Sequence, residues 1–359
     1  MPIARRLILG LVAAAAALAL LPATGHAATD PCATPVTNPV ACENSKPGTP
    51  TSDWEVAGDG DSTIQGFATK MSVNVGQAIS FKVDTSASYH LDILRLGYYG
   101  GDGARKIAAS VPVTARSQPA CLTAQATGIV DCGNWGVSAT WTVPSTAVSG
   151  VYVAHLVRND TGGDSLIPFV VRDDSSHSAV VLQTSDATWQ AYNNYGGNSL
   201  YKCTALCPAG NPLAYKAAYA VSYNRPWDGS FATDGGHSYF WYAEYQMVRF
   251  LEENGYDTSY VAQADLDQNP ALLKNHKVFL SSGHDEYWSG AERSAVESAR
   301  DAGVNLAFFS GNEVFWKTRW ENNRRTLVTY KETHANGKID PEPTTWTGTW
   351  RDPRFSPPA

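Results

Sequence analysis

The chain has 359 residues, enough for two domains of ordinary size, with a net charge of -7 and only 17% charged residues. That balance excludes the basic footprint of a nucleic-acid-binding protein. Its 17 Tyr and 11 Trp suit β-rich domains and binding clefts.

In chain order, residues 1–28 read as a secretory signal. Arg5 and Arg6 form its charged region, residues 7–21 its apolar region, and Gly25-His26-Ala27-Ala28 a small-residue cleavage site. The apolar run is short for a retained membrane anchor, so no membrane association is expected after cleavage. Arg5-Arg6 followed by Leu7-Ile8-Leu9 resembles a twin-arginine export signal, and the general route stays open.

Six cysteines fit export and fall into near pairs: Cys32 with Cys42, Cys121 with Cys132, Cys203 with Cys207. Of the 15 possible pairings the local one is expected, because each pair lies within one short loop. Residues 29–52, rich in Pro and Thr, read as an extended arm stapled by the first pair.

Residues 53–172 carry short alternating strands separated by turn clusters, such as Gly97-Tyr98-Tyr99-Gly100-Gly101-Asp102-Gly103 and Asn159-Asp160-Thr161-Gly162-Gly163-Asp164. Ile79, Phe81 and Val83 alternate with polar neighbours. The spacing predicts an immunoglobulin-like β-sandwich, without the Cys…Trp…Cys signature of antibody domains. His90 and His155 stand alone in strands and read as packing or surface residues.

The polar run Asp173-Asp174-Ser175-Ser176-His177 marks a boundary. From residue 178 to 359 the pattern alternates strand and helix. Strands are expected at 178–182, 256–262, 278–281, 304–309 and 327–331, with helices over 238–254 and after Ser289. The predicted fold class is therefore multidomain, β plus α/β, the second unit a mainly parallel doubly wound sheet. Residues 183–237 have little regular pattern, and a segment that long inside a compact domain is usually functional.

The stretch Gly283-His284-Asp285-Glu286 follows a buried apolar run and precedes Ser289-Gly290-Ala291-Glu292, a capping box that opens a helix. It thus lies at the carboxyl end of a strand, where ligands bind in open α/β sheets. The plain alternative is a turn whose acidic residues cap the helix. Strand ends also bring Tyr192 and Asn312 to this rim. No Gly-x-Ser-x-Gly elbow, no His-Glu-x-x-His and no phosphate loop is present. What remains is a set of Tyr and Glu oxygen donors with one His, which favours a hard ion over zinc.

Residues 186–197, 244–256, 305–319 and Gly283-His284-Asp285-Glu286-Tyr287-Trp288 resemble the carboxyl-terminal domain of the N,N-dimethylformamidase large (β) subunit family, in its secreted bacterial branch. The likeness spans residues 178–331. It implies a flavodoxin-like, glutamine-amidotransferase-like sheet and an amide hydrolase with mononuclear ferric iron held by two tyrosines and a glutamate. Carried across, the metal ligands are Tyr192, Tyr245 and Glu286, with Tyr239, Tyr242 and Tyr223 as rivals to Tyr245. His284, Asn312 and Lys331 become the catalytic residues. The implied partner is a small amide substrate, and a homo-oligomer is compatible with the resemblance. Family members tend to be longer, so the resemblance also raises a missing carboxyl-terminal tail. The competing expectation, of a different class, is a secreted binding protein that takes glycan or peptide in an aromatic cleft.

Overall fold

The computed structural model describes residues 30–58, 60–213, 215–227 and 240–354. The expected signal, the start of the helix over 238–254, Tyr239 and the last five residues lie outside them.

Residues 64–172 build two facing sheets. The smaller has the order Ile64–Ala68, Ala78–Thr85, Ala139–Thr142. The larger runs Ser72–Asn74, Asp164–Arg172, Gly150–Arg158, Tyr89–Leu96, Ala104–Lys106. Alternation puts Ile79, Phe81 and Val83 on one face, where they meet Ile93, Tyr152 and Phe169 of the other sheet in one core. Each such side chain contributes about 1.5–3 kcal/mol by leaving water.

After residue 178 a parallel sheet has the order Thr258–Ala262, Val180–Thr184, Val278–Gly283, Asn305–Ser310. Its two faces are read off alternate residues. Val181, Val261 and Phe279 pack on Val296 and Ala299 of the helix Gly290–Asp301. Leu182, Tyr260 and Leu280 face Val248 and Leu251 of the helix Tyr245–Glu253. That second core also takes in Leu94, Val151, Val153 and Val170 from the sandwich. Sandwich and parallel sheet therefore share one hydrophobic core. The strands Gly150–Arg158 and Asp164–Arg172 are buried along nearly their whole length because both of their faces are covered. An ion pair closes the contact: Arg95 NH2 donates to Glu252 Oε1 at 2.7 Å with both side chains fully buried.

Several elements differ from the sequence reading. The arm is not extended throughout: Pro39–Asn44 is a short helix, and Asn38 donates to Gly255 O at 2.7 Å. Asp186–Tyr192 is helical where no regular structure was expected. The helix over 238–254 begins, among the described residues, as a π-helical turn Phe240–Glu244. Thr326–Val328 does not extend the parallel sheet. It pairs antiparallel with Ala220–Ser222 and with Trp316–Glu321, which in turn pairs with Tyr287–Ser289 in a separate small sheet. Asn305–Ser310 is an edge strand, and Phe309 is 61% exposed. The local disulfides Cys32–Cys42, Cys121–Cys132 and Cys203–Cys207 are formed. Among the described residues no helix is long and apolar enough to cross a membrane.

Candidate functional site

Val180–Thr184 and Val278–Gly283 are neighbours in the sheet, so the chain leaving each arrives at the same rim. After the first comes the helix Asp186–Tyr192, which ends on Tyr192. After the second, Gly283 takes φ +88°, a turn that a side chain would obstruct because its Cβ would lie 2.5 Å from Glu244 Cγ. The chain then presents His284 outward and turns Asp285 and Glu286 inward, where both are buried. Ser289 caps the following helix with Glu292 in the expected box.

Glu286 is the centre of the site. Its backbone N–H donates to Thr188 Oγ1 at 3.0 Å, tying the turn to the helix Asp186–Tyr192. On Oε1 it accepts from the Tyr201 hydroxyl at 2.7 Å and from Trp316 Nε1 at 3.1 Å. On Oε2 it accepts from the Tyr192 hydroxyl at 3.2 Å and from His284 Nε2 at 3.2 Å. Burial pushes this carboxyl up, but the hydrogen bonds from His284 and Tyr201 and the charge of Lys331 hold it below the ordinary glutamate value. The rings of Tyr192 and Tyr201 stack at 4.1 Å.

Lys331 lies beneath the tyrosines. Its ammonium donates to Leu200 O at 2.8 Å and sits 3.4 Å from the Tyr201 ring centroid. Burial pushes it down to about 7, with Glu286 opposing the shift. Lys331 also has φ 48°, an unfavourable left-handed geometry for a side-chain-bearing residue. Asn312 Nδ2 lies 3.4 Å from His284 Nε2. A carboxylate only accepts, so the Nε2 proton points to Glu286 and Asn312 competes for the same nitrogen.

The structure thus brings together Tyr192, His284, Glu286, Asn312 and Lys331. It does not bring Tyr245 there. The Tyr245 hydroxyl donates to Gly103 O at 2.8 Å, and its ring packs at 5.0 Å from Trp241 against the sandwich. The physical reason is the helix face: Tyr245 lies on the side of Tyr245–Glu253 that enters the shared core. Of its rivals, Tyr223 is buried and donates to Asp186 Oδ2 at 2.8 Å, and Tyr242 is 59% exposed. Sequence reasoning missed Tyr201, whose hydroxyl occupies the second phenol position. A signal was available: Tyr201 follows Tyr192 in the same loop and stands just before the Cys203–Cys207 staple.

Among the described residues no group of three or more His, Cys, Asp or Glu side chains could hold a metal. A metal at this rim would draw on phenol oxygens. Tyr192, Tyr201 and Glu286 supply hard oxygen donors that already converge within hydrogen-bond distance, and this donor set fits a ferric ion.

Comparison with known proteins identifies one family, described as N,N-dimethylformamidase beta subunit-like, C-terminal, which matches residues 90–359. The match begins inside the sandwich, well before the 178–331 span of the sequence resemblance. No curated protein matches the chain. The chain is distantly similar to several solved structures. A fungal alcohol oxidase in complex with copper has TM-score 0.19 and 17% identity, over 29% of this chain and 19% of its own. A lytic polysaccharide monooxygenase from Streptomyces lividans has TM-score 0.19 and 18% identity, over 28% and 58%. A family 123 glycoside hydrolase from Clostridium perfringens has TM-score 0.14 and 8% identity, over 74% and 51%. This chain therefore spans less than two thirds of the length of each, and likeness at this level carries no argument.

Proposed function

The chain belongs to the N,N-dimethylformamidase beta subunit-like, C-terminal family, and on that premise we propose that it hydrolyses a small amide at the Glu286 rim with one ferric ion. The observation that carries this reading is the pair of phenols, Tyr192 and Tyr201, on the two oxygens of one buried carboxylate. Tyr192, Tyr201 and Glu286 would hold the ion. When bound, it supplies Lewis-acid polarisation of the amide carbonyl. The remaining work falls to the chain's own side chains. His284, with its Nε2–H donating to Glu286, takes a proton at Nδ1 from the attacking water and returns it to the leaving nitrogen. Asn312, exposed beside it, offers Nδ2 to the substrate oxygen. Lys331 lies below the tyrosines and helps keep Glu286 ionised.

The sequence features that suggested export support an extracellular setting, and the three disulfides agree with it. The flavodoxin-like and immunoglobulin-like descriptions belong to the same reading, supported by the parallel sheet order and by the two facing sheets.

Metal analysis of the full chain, purified without added metal, tests the proposal together with hydrolysis of a panel of small amides. Iron near one per chain, a visible tyrosinate-to-iron band and amine release are expected. A pure, iron-replete and colourless protein overturns it and leaves the binding-protein alternative.

A further inference from the structure

A second polar feature lies away from the Glu286 rim, where the sandwich meets the carboxyl-terminal unit. It is a pocket of about 450 Å³. From the sandwich side it is lined by Lys70, Ser72 and Arg172, and from the other side by Asp265, Arg324 and Arg325. Four cations and one carboxylate thus face one space.

The partners decide how much of that charge is already spent. Arg172 NH1 donates to Asp265 Oδ1 at 2.6 Å, and its Nε donates to Asp174 Oδ1 at 2.9 Å. Asp265 Oδ2 accepts from Ala262 N at 2.8 Å, so this carboxylate is used on both oxygens. Arg324 Nε donates to Asp267 Oδ1 at 2.6 Å and leaves its two terminal nitrogens over. Lys70 is exposed and forms no hydrogen bond or ion pair among the described residues.

Arg325 differs from all of these. Among the described residues its guanidinium reaches neutral oxygens: Asn224 Oδ1 at 2.7 Å, Ala68 O at 2.9 Å and Tyr223 O at 2.7 Å. Among the described residues no carboxylate pairs with it directly. Asp131 reaches it through Asn224, whose Nδ2 donates to Asp131 Oδ2 at 3.4 Å. Burial pushes Arg325 down to about 10. A guanidinium removed from water and left without a counter-charge is costly, and an anion supplied from outside removes that cost.

The segment that carries Arg324 and Arg325 is held in an uncommon backbone. Asn322, Asn323 and Arg324 have φ 48°, 51° and 61° in succession. Asn tolerates that region and Arg does not, at a cost of about 1–3 kcal/mol. The turn places consecutive guanidinium groups against one pocket instead of letting them diverge.

We propose that this pocket is a binding site for a small oxyanion, phosphate or sulfate, free or as the monoester of a small molecule. Arg325 NH1, the spare nitrogens of Arg324 and the Lys70 ammonium are its donors. Arginine forks match a tetrahedral oxyanion in two-point contacts, and lysine adds a point charge. The pocket has room for more than the bare anion. Since its walls come from both units, an occupant would bridge them and raise the stability of the whole chain by linkage. The proposal is independent of any metal at Glu286.

The test is calorimetric titration of the full chain with sodium phosphate, sodium sulfate and glycerol 3-phosphate, with sodium chloride at matched ionic strength as control. Saturable binding of phosphate or sulfate is expected, and a raised melting temperature with it. Tighter binding of glycerol 3-phosphate would identify a monoester as the ligand, and equal binding the free anion. Lys70→Gln combined with Arg324→Gln should weaken binding tenfold or more while the anion-free melting temperature changes little. Arg325→Lys should weaken it as well, because one charge remains but the fork is lost. No saturable binding at tens of millimolar anion overturns the proposal. So does unchanged affinity in the Lys70, Arg324 double variant.

Discussion

Tyr201 donates its hydroxyl proton to Glu286 Oε1 over 2.7 Å, although 85 residues separate them in sequence. The contact makes Tyr201, and not Tyr245, the second phenol of the rim. The expected result is a split between two conservative variants. Tyr201→Phe keeps the ring stack on Tyr192 and deletes one donor oxygen, so iron content and visible absorbance should fall together. Tyr245→Phe loses a buried hydrogen bond to Gly103 O, worth about 1 kcal/mol, and should keep both. Metal analysis and an absorption spectrum on the two variants decide the matter. Equal iron in Tyr201→Phe and parent would remove Tyr201 from the ligand set.

The loop that presents Tyr201 is short of regular structure, and the disulfide Cys203–Cys207 lies directly behind it. Asn198 adds a clamp, donating from Nδ2 to Gly128 O at 2.7 Å. Replacing both cysteines by serine should loosen the loop without unfolding the chain. The loss in stability should stay at or below about 3 kcal/mol, the upper range for so short a closed loop. Iron affinity should drop by a larger factor than the melting temperature suggests. An unchanged metal content in the double variant would show that Asn198 and Leu200 hold Tyr201 without the staple.

Glu244 gives the pH dependence a readable sign. Burial pushes its carboxyl up to about 8 from 4.5, and Oε2 has no hydrogen-bond partner among the described residues. The folded state therefore binds more protons than the unfolded state between these two values. Stability contributed by this group is fully present below pH 4.5 and is lost as pH rises through about 8. The slope approaches about 1.4 kcal/mol per pH unit for one group. Glu244→Gln keeps the Oε1 acceptor for Ser185 N and Trp189 Nε1 and removes the titration. Denaturant melts from pH 5 to 9 should show the variant gaining on the parent with rising pH. Parallel curves would mean that Glu244 is ionised in the native protein.

The Arg95–Glu252 pair bears on whether the two units are independent. The polar boundary at residues 173–177 and a sheet and helices of its own would let the segment from residue 178 fold by itself. The shared core and this pair, 0% exposed on both sides, indicate otherwise. Glu252 Oε1 also accepts from the Tyr260 hydroxyl at 2.8 Å, so the parallel sheet, the helix Tyr245–Glu253 and the sandwich meet on one carboxylate. Arg95→Ala should cost about 3–5 kcal/mol, the range for stranding a buried charge. A chain starting at residue 178 should aggregate or expose its core to a hydrophobic dye. A soluble, cooperatively melting fragment would restore the independent-domain view.

Much of the fold and of the site was legible in the sequence, and for local reasons. The turn Gly283-His284-Asp285-Glu286 is bracketed by an apolar strand and a capping box, both of which are short-range signals. Parallel strands at regular spacing put Tyr192 and Asn312 at the same rim as Glu286. The disulfides could be read as near pairs because each closes a short loop. Tertiary structure alone decided the rest. Tyr201 lies in a stretch without periodicity, so beyond its place just before the Cys203–Cys207 staple no local pattern says that its hydroxyl turns toward Glu286. Tyr245 and Val248 belong to one amphipathic helix, but the sequence does not say what its apolar face meets. The strands Gly150–Arg158 and Asp164–Arg172 are apolar and buried along most of their length. An apolar run records that both faces are covered and carries no record of the partner. That partner, the parallel sheet with its helix, is fixed by packing between residues more than a hundred positions apart, such as Arg95 and Glu252. Local chemistry can be read residue by residue. Which surfaces meet depends on the whole chain burying its apolar area at once.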